Sequence, residues 1–210
     1  VLKPGVVATG ELASSDGKTS GHIVVTARDD GNFDVTMSDF HTPITSELDL
    51  GLSPAPLTSK AACPASNVYL SFGGVSPGPA RTFFLEGVTD FTRGNPSFFD
   101  AVLLTQLAPD PSNPLCAESV AAAASLAWTM PDMRPSLVVV DSGIRSGATG
   151  VAAIVGGKAA SYVVASDDVM EAIAQRFGIT VDDILYLNPT RMGGTMALAG
   201  ETLNLSKKLR

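Results

Sequence analysis

The sequence predicts an all-β N-terminal domain, sandwich or barrel-like, followed by a small α+β unit of order strand, helix, helix, strand. Three observations lead there. Short runs rich in β-branched and aromatic residues recur through the first 140 positions, separated by Gly, Pro, Asn and Asp clusters, which is the signature of a many-stranded sheet. Within such runs apolar residues alternate, as Leu48, Leu50 and Leu52 do in Thr45-Ser-Glu-Leu-Asp-Leu-Gly-Leu52, so one face is buried. Clear helical spacing with its start and stop signals appears only after residue 165.

Taken in order, Gly21-His-Ile-Val-Val-Thr-Ala27 and Phe33-Asp-Val-Thr-Met-Ser38 read as two strands of a hairpin. Between them Arg28-Asp-Asp-Gly-Asn32 supplies an Asp-Gly pair, which suits the positive φ of a tight turn. Further strands are expected at Asn67-Val-Tyr-Leu-Ser-Phe72, Arg81-Thr-Phe-Phe-Leu-Glu86, Phe98-Phe-Asp-Ala-Val-Leu-Leu-Thr105 and Ser136-Leu-Val-Val-Val140. The Ala-rich run from Glu118 to Trp128 is read as strand, because prolines flank it and Trp-Thr-Met follows, although alanine alone favours helix. Gly, Ala and Ser dominate 141–160, which places a boundary near 156–160 and gives domains 1–158 and 159–210.

In the last fifty residues, Tyr162-Val-Val-Ala165 is a strand. Asp168 is placed to cap a helix, with Glu171 completing a capping box and Met170, Ile173, Ala174 and Phe177 on one face. Gly178 stops that helix, a second begins at Thr180 and ends at Asn188-Pro189, and Gly200-Glu-Thr-Leu-Asn-Leu205 closes as a strand.

Composition removes several function classes. The net charge is −7, which argues against a polyanion such as nucleic acid as partner. Residues 161–210 hold five Lys/Arg and six Asp/Glu, so the acidity belongs mainly to the sheet domain. The longest apolar run, Val120 to Trp128, is too short to span a bilayer. Cys63 and Cys116 sit in loop-like segments, Ala-Cys-Pro and Pro-Leu-Cys-Ala, without metal-type pair spacing. They are read as a disulfide, which points to an oxidising, extracytoplasmic location; the alternative is two buried free thiols.

The remaining chemistry is sparse. His22 and His41 are the two histidines, read as strand-edge and turn residues rather than metal ligands. Asp29-Asp-Gly-Asn32 is too short for a calcium loop, and Asp141-Ser-Gly143 lacks the Gly-x-Ser-x-Gly elbow. Trp128 is read as a core residue, with a sugar platform as its alternative. No catalytic residue, metal or cofactor is expected, and the protein is not read as an enzyme.

The C-terminal signals resemble the LysM domain, whose pattern is a Tyr-x-Val strand, a Gly-Asp-Thr-Leu turn, an Ile-Ala-x-x-Phe-Gly helix, a Leu-x-x-Leu-Asn-Pro helix and a Pro-Gly-x-x-Leu-x-Ile strand. Here these stand as Tyr162-Val-Val164, Asp167-Asp-Val-Met170, Ile173-Ala-Gln-Arg-Phe-Gly178, Ile184-Leu-Tyr-Leu-Asn-Pro189 and Ala199-Gly-Glu-Thr-Leu-Asn-Leu205. The resemblance spans about 161–206 and implies a βααβ module that binds glycans containing N-acetylglucosamine, peptidoglycan or chitin-type oligosaccharide, at the cell surface or in the cell wall. It places the glycan-binding residues in two loops, Ser166, Asp167, Asp168 and Val169 on one side and Asn188, Pro189, Thr190, Arg191 and Met192 on the other. Asp167 replaces the family's turn glycine and Val169 its threonine, so a residue suited to positive φ and a hydroxyl near the groove are both lost. A second reading is therefore a surface or assembly protein whose module contacts other surface proteins without binding sugar.

Overall fold

The computed structural model describes residues 2–60, 62–191 and 194–210. It comprises two compact units, one holding the chain up to Gly87 together with Gly94–Pro131, the other Val88–Arg93 together with Asp132–Arg210.

The first unit is a single antiparallel sheet of nine strands: β1 (Gly5–Ala13), β2 (Ser20–Ala27), β3 (Phe33–His41), β4 (Leu48–Ser53), β5 (Leu70–Val75), β6 (Arg81–Leu85), β7 (Ala101–Gln106), β8 (Ser119–Ser125) and β9 (Ala127–Trp128). The strand order is β5-β4-β7-β8-β1-β2-β3-β6, with β9 continuing beside β1 through Ala8↔Trp128. Inward positions alternate as period-two burial requires: Ile23, Val25 and Ala27 on β2 face the core with Phe33, Val35 and Met37 on β3. At the far end of that pair a bulge interrupts the register, and Asp39 takes a left-handed φ of 50° there.

Both ends of the sheet come together, so the sheet is a nearly closed barrel. Phe72 of β5 stacks on Phe83 of β6 with ring centroids 5.2 Å apart, and the Arg81 guanidinium donates to the Gly74 carbonyl at 3.2 Å. Strand β7 lies between β4 and β8, with Ala101 through Thr105 all buried. Cys63 and Cys116 form a disulfide, Cα atoms 5.5 Å apart, tying the turn Pro64–Asn67 to the loop between β7 and β8. Trp128 is half-buried and donates its indole N–H to the Phe99 carbonyl at 2.7 Å, the arrangement of an amphipathic core residue. His22 pairs with Glu11 at 2.7 Å, and His41 contacts the Asp39 carbonyl.

The second unit has the three-stranded antiparallel sheet β10 (Val151–Val155), β11 (Lys158–Val163) and β12 (Thr202–Asn204), with helices α1 (Met170–Phe177) and α2 (Val181–Leu187) between β11 and β12. The strand–helix–helix–strand order is therefore present, with β10 added at the sheet edge. Gly156-Gly157 forms the turn of the β10–β11 hairpin, both residues at positive φ.

Tyr162, Met170, Ile173, Phe177, Ile184 and Leu203 form the core of this unit, each at most 1 % exposed. Burying each such large apolar side chain contributes roughly 1.5–3 kcal/mol. The stretch ahead of β11 supplies Ala148 to the same core, and Ala152 and Val139 pack against it.

Two sequence expectations are corrected here. Ser136–Val140 is not a strand: Ser136 lies in a turn closed by Leu137 N–H to the Arg134 carbonyl, and Val140 donates its N–H to the Phe177 carbonyl, so its partner is the C-terminal end of α1. The Asp168–Glu171 capping box does not form. Val169 occupies the cap position without a side-chain bond, because the Asp168 carboxylate is drawn inward by other donors. A capping box does start α2, where Thr180 Oγ1 accepts from Asp183 N–H at 3.0 Å and Asp183 accepts in turn from Thr180 N–H at 3.0 Å.

Candidate functional site

Where β11 ends and β12 begins, two loops are brought side by side. Val164 N–H donates to the Glu201 carbonyl at 2.9 Å, and Gly200 N–H donates to the Val164 carbonyl at 2.8 Å. The chain leaving Val164 runs through Ser166, Asp167 and Val169, all exposed, while the chain arriving at Gly200 carries exposed Met196 and Leu198. Asp167 holds a φ of 66° at the turn, so aspartate adopts here the left-handed conformation that glycine adopts without steric cost.

Asp168 sits beneath the first loop. Its carboxylate accepts from Tyr162 O–H at 2.5 Å, from the N–H groups of Thr149, Gly150 and Ala165 at 2.7, 3.2 and 2.8 Å, and from Thr149 Oγ1 at 3.1 Å. Burial pushes its pKa up, but these donors outweigh burial and hold it below the ordinary carboxylate range. The Tyr162 hydroxyl is pushed up to about 12 by burial and by its bond to that carboxylate. A Cβ on Gly150 would lie 2.1 Å from the Val163 carbonyl oxygen and 2.8 Å from the Tyr162 ring, so only glycine fits at this junction. Asp168 thus anchors the loop from within rather than facing a ligand.

On the opposite loop the expected residues divide. Thr190 is exposed. Asn188 is turned inward, where its side-chain amide donates to the carbonyls of Ile184 and Asn204 at 2.8 and 2.9 Å and its oxygen accepts from Asn204 N–H at 2.7 Å. Every hydrogen-bonding site on that amide but one lone pair is occupied by the fold. Pro189 is buried, and Met192 lies outside the described residues.

Arg191 is also internal, its side chain 7 % exposed. It grips Glu201 through two bonds of 2.8 and 2.6 Å and also donates to the Gly194 and Met196 carbonyls. Burial pushes the Glu201 pKa up, but Arg191 and the Leu198 N–H outweigh it and hold the carboxyl below its usual range. The guanidinium therefore shapes the second loop from inside. Arg191→Ala is expected to cost about 1–3 kcal/mol, since Glu201 is left buried without its partner, and to open the 194–200 segment to proteolysis. Thermal unfolding and limited digestion check this; an unchanged digestion pattern would contradict it.

Residues 162–206 match the LysM domain family. The match covers the end of β11, both helices and β12, and no family model matches the chain before it. No match was found for the chain among curated proteins or among solved structures. The LysM segment does not stand alone in its fold, because Asp168 and Tyr162 within it are bonded to Thr149 and Gly150 ahead of it. A buried arginine of α1, Arg176, makes a second such link. It forms a paired bond of 2.8 and 2.9 Å to Asp141 and donates to the Ala148 and Gly150 carbonyls at 3.0 and 2.9 Å.

Sequence reasoning did not find Met196, Leu198, Arg176 or Glu201 as contributors to this region. Nothing in the local pattern marks an ion pair ten residues apart, as in Arg191–Glu201. Among the described residues no three His, Cys, Asp or Glu side chains gather to hold a metal, and no helix is long and apolar enough to cross a membrane.

Proposed function

We propose that the LysM segment binds glycans built from N-acetylglucosamine, peptidoglycan or a chitin-type oligosaccharide, between the 165–169 loop and the 190–200 loop, and that the protein acts at the cell surface or in the cell wall without catalysing a reaction. On this reading residues 159–210 carry the two sugar loops, the 132–158 stretch that shares their compact unit supports them, and the nine-stranded unit is the accessory β-rich part. The observation that carries it is the LysM match across both loops and the strands that hold them together.

The surface chemistry supports it. Neutral amino sugars take hydrogen bonds from backbone and hydroxyl groups plus apolar contact for the acetyl methyl. Exposed Ser166 and Thr190 offer the first, and exposed Val169, Met196 and Leu198 offer the second. Asn188 and Arg191 support the loops in this proposal instead of touching sugar.

Chitopentaose titrated into labelled protein is expected to shift amides of both loops with a Kd on the order of 10⁻⁵–10⁻³ M, as suits an open surface and a flexible ligand. Purified peptidoglycan should retain the protein. No shifts at millimolar ligand together with no retention would refute the proposal. That outcome would favour the reading as a protein-contact module, whose motivation is the exposed valine at 169 where the family pattern has threonine.

A further inference from the structure

We infer that the loop 143–149, which precedes the LysM match, adds a cationic subsite to the glycan surface and takes a carboxylate carried by the glycan, such as the lactyl or peptide carboxylate of a muramyl unit. This rests on the glycan-binding reading above and goes beyond it by naming a substituent and the residue that reads it, Arg145.

The loop is fastened to the first sugar loop. The Gly147 carbonyl accepts from Val169 N–H at 2.8 Å, and Thr149 is bonded through its N–H and hydroxyl to Asp168. Close approach depends on Gly147, which has a φ of 72°; a Cβ there would meet the Ala172 and Val169 side chains at 3.1 and 3.2 Å. Arg145 and Ala148 exchange backbone bonds of 3.4 and 3.0 Å across the tip, and Arg176 binds the loop's base through Asp141 and the Ala148 carbonyl. The loop is therefore a fixed wall beside Val169.

Its tip is exposed and cationic. Ile144 is 74 % exposed, and Arg145 and Ser146 are exposed with it. Arg134, Arg176 and Arg191 in the same unit are each committed to a carboxylate, whereas Arg145 has no carboxylate partner among the described residues. The neighbouring sugar loop carries exposed Asp167, and the first turn of α1 carries exposed Glu171. A glycan carboxylate is repelled from those acids and finds its complement in the guanidinium on the adjoining wall, whose planar fork matches a carboxylate.

The test compares the wild-type chain with Arg145→Gln on two ligands, neutral chitopentaose and a soluble peptidoglycan fragment bearing muramyl peptides. Arg145→Gln is expected to weaken binding of the carboxylated fragment about tenfold, the loss of one charge-assisted contact, and to leave the chitopentaose affinity within about twofold. Raising the salt concentration should weaken fragment binding to wild type and not to the variant. Equal affinities of wild type and variant for the fragment, or equal losses on both ligands at an unchanged Tm, overturn this inference and leave the glycan reading standing. Failure of the wild type to bind either ligand overturns both.

Discussion

Asp168→Ala is expected to lower the stability of the second unit by about 3–5 kcal/mol, the usual cost of removing one partner from a buried charged network. The substitution deletes the common acceptor of five donors, leaving the Tyr162 hydroxyl and the N–H groups of Thr149 and Ala165 without one, while Gly150 N–H keeps the Tyr162 oxygen. Denaturant unfolding followed by a probe within residues 132–210 measures the loss, and a change below about 1 kcal/mol would contradict the account. The same carboxylate sets a pH dependence. Its folded pKa is depressed, so its contribution is complete above the unfolded aspartate value of about 4 and is lost as pH falls through the lower folded value. Asp141, held down chiefly by Arg176, and Glu201 act in the same direction. The wild-type unit should be distinctly less stable near pH 2–3 than at pH 7, and Asp168→Ala should flatten that dependence.

Replacing both cysteines, Cys63→Ser with Cys116→Ser, is expected to destabilise the barrel by about 4 kcal/mol, the chain-entropy value for a loop of this length. The sequence separation of 53 residues makes the unfolded chain pay the penalty, since without the bridge it gains a long loop's freedom. Strands β5, β6 and β7 lie inside that loop, so the loss should appear as a lower midpoint for the whole first unit and not as local fraying. Non-reduced protein should show no alkylatable thiol, and reduction should release two. Equal midpoints for the oxidised wild type and the double variant would refute the prediction.

Much of this architecture was legible in the sequence because its signals are local. Asp30-Gly31 fixes a hairpin, Gly178 stops α1 at a φ of 66°, and alternating leucines mark β4. Strand β1 was not legible, since its inward positions include Ala8 and Gly10, which are too small to print an apolar alternation. Val151–Val155 hid between glycine pairs as an edge strand with little buried on either face. The three valines at 138–140 carry a strand's composition, yet they lie along a helix terminus, and composition does not reveal a partner. In the candidate site the loops were legible and the direction of their side chains was not. Asp168 has the spacing of a cap, but the Tyr162 hydroxyl and the Thr149–Gly150 backbone compete for its carboxylate and win. Arg191 reads as a donor for ligand until Glu201, ten residues on, is seen to occupy it.

The meeting of β5 and β6 has a mechanical consequence. Among the described residues these strands are joined by an aromatic stack and an arginine-to-carbonyl bond, whereas the other neighbouring pairs on the path are joined by backbone pairing, down to the single Ala13↔Ala123 pair of β1 with β8. Parting them breaks side-chain contacts alone, and the eight-strand path then lies open as a curved sheet with all its ladders intact. The barrel thus has a zip whose teeth are Phe72, Phe83 and Arg81, and breathing of the barrel should start there. Amide exchange along the outward edges of β5 and β6 will report that opening at a free energy well below global unfolding, and Phe83→Ala will lower it further without shortening the protection of β7 and β8.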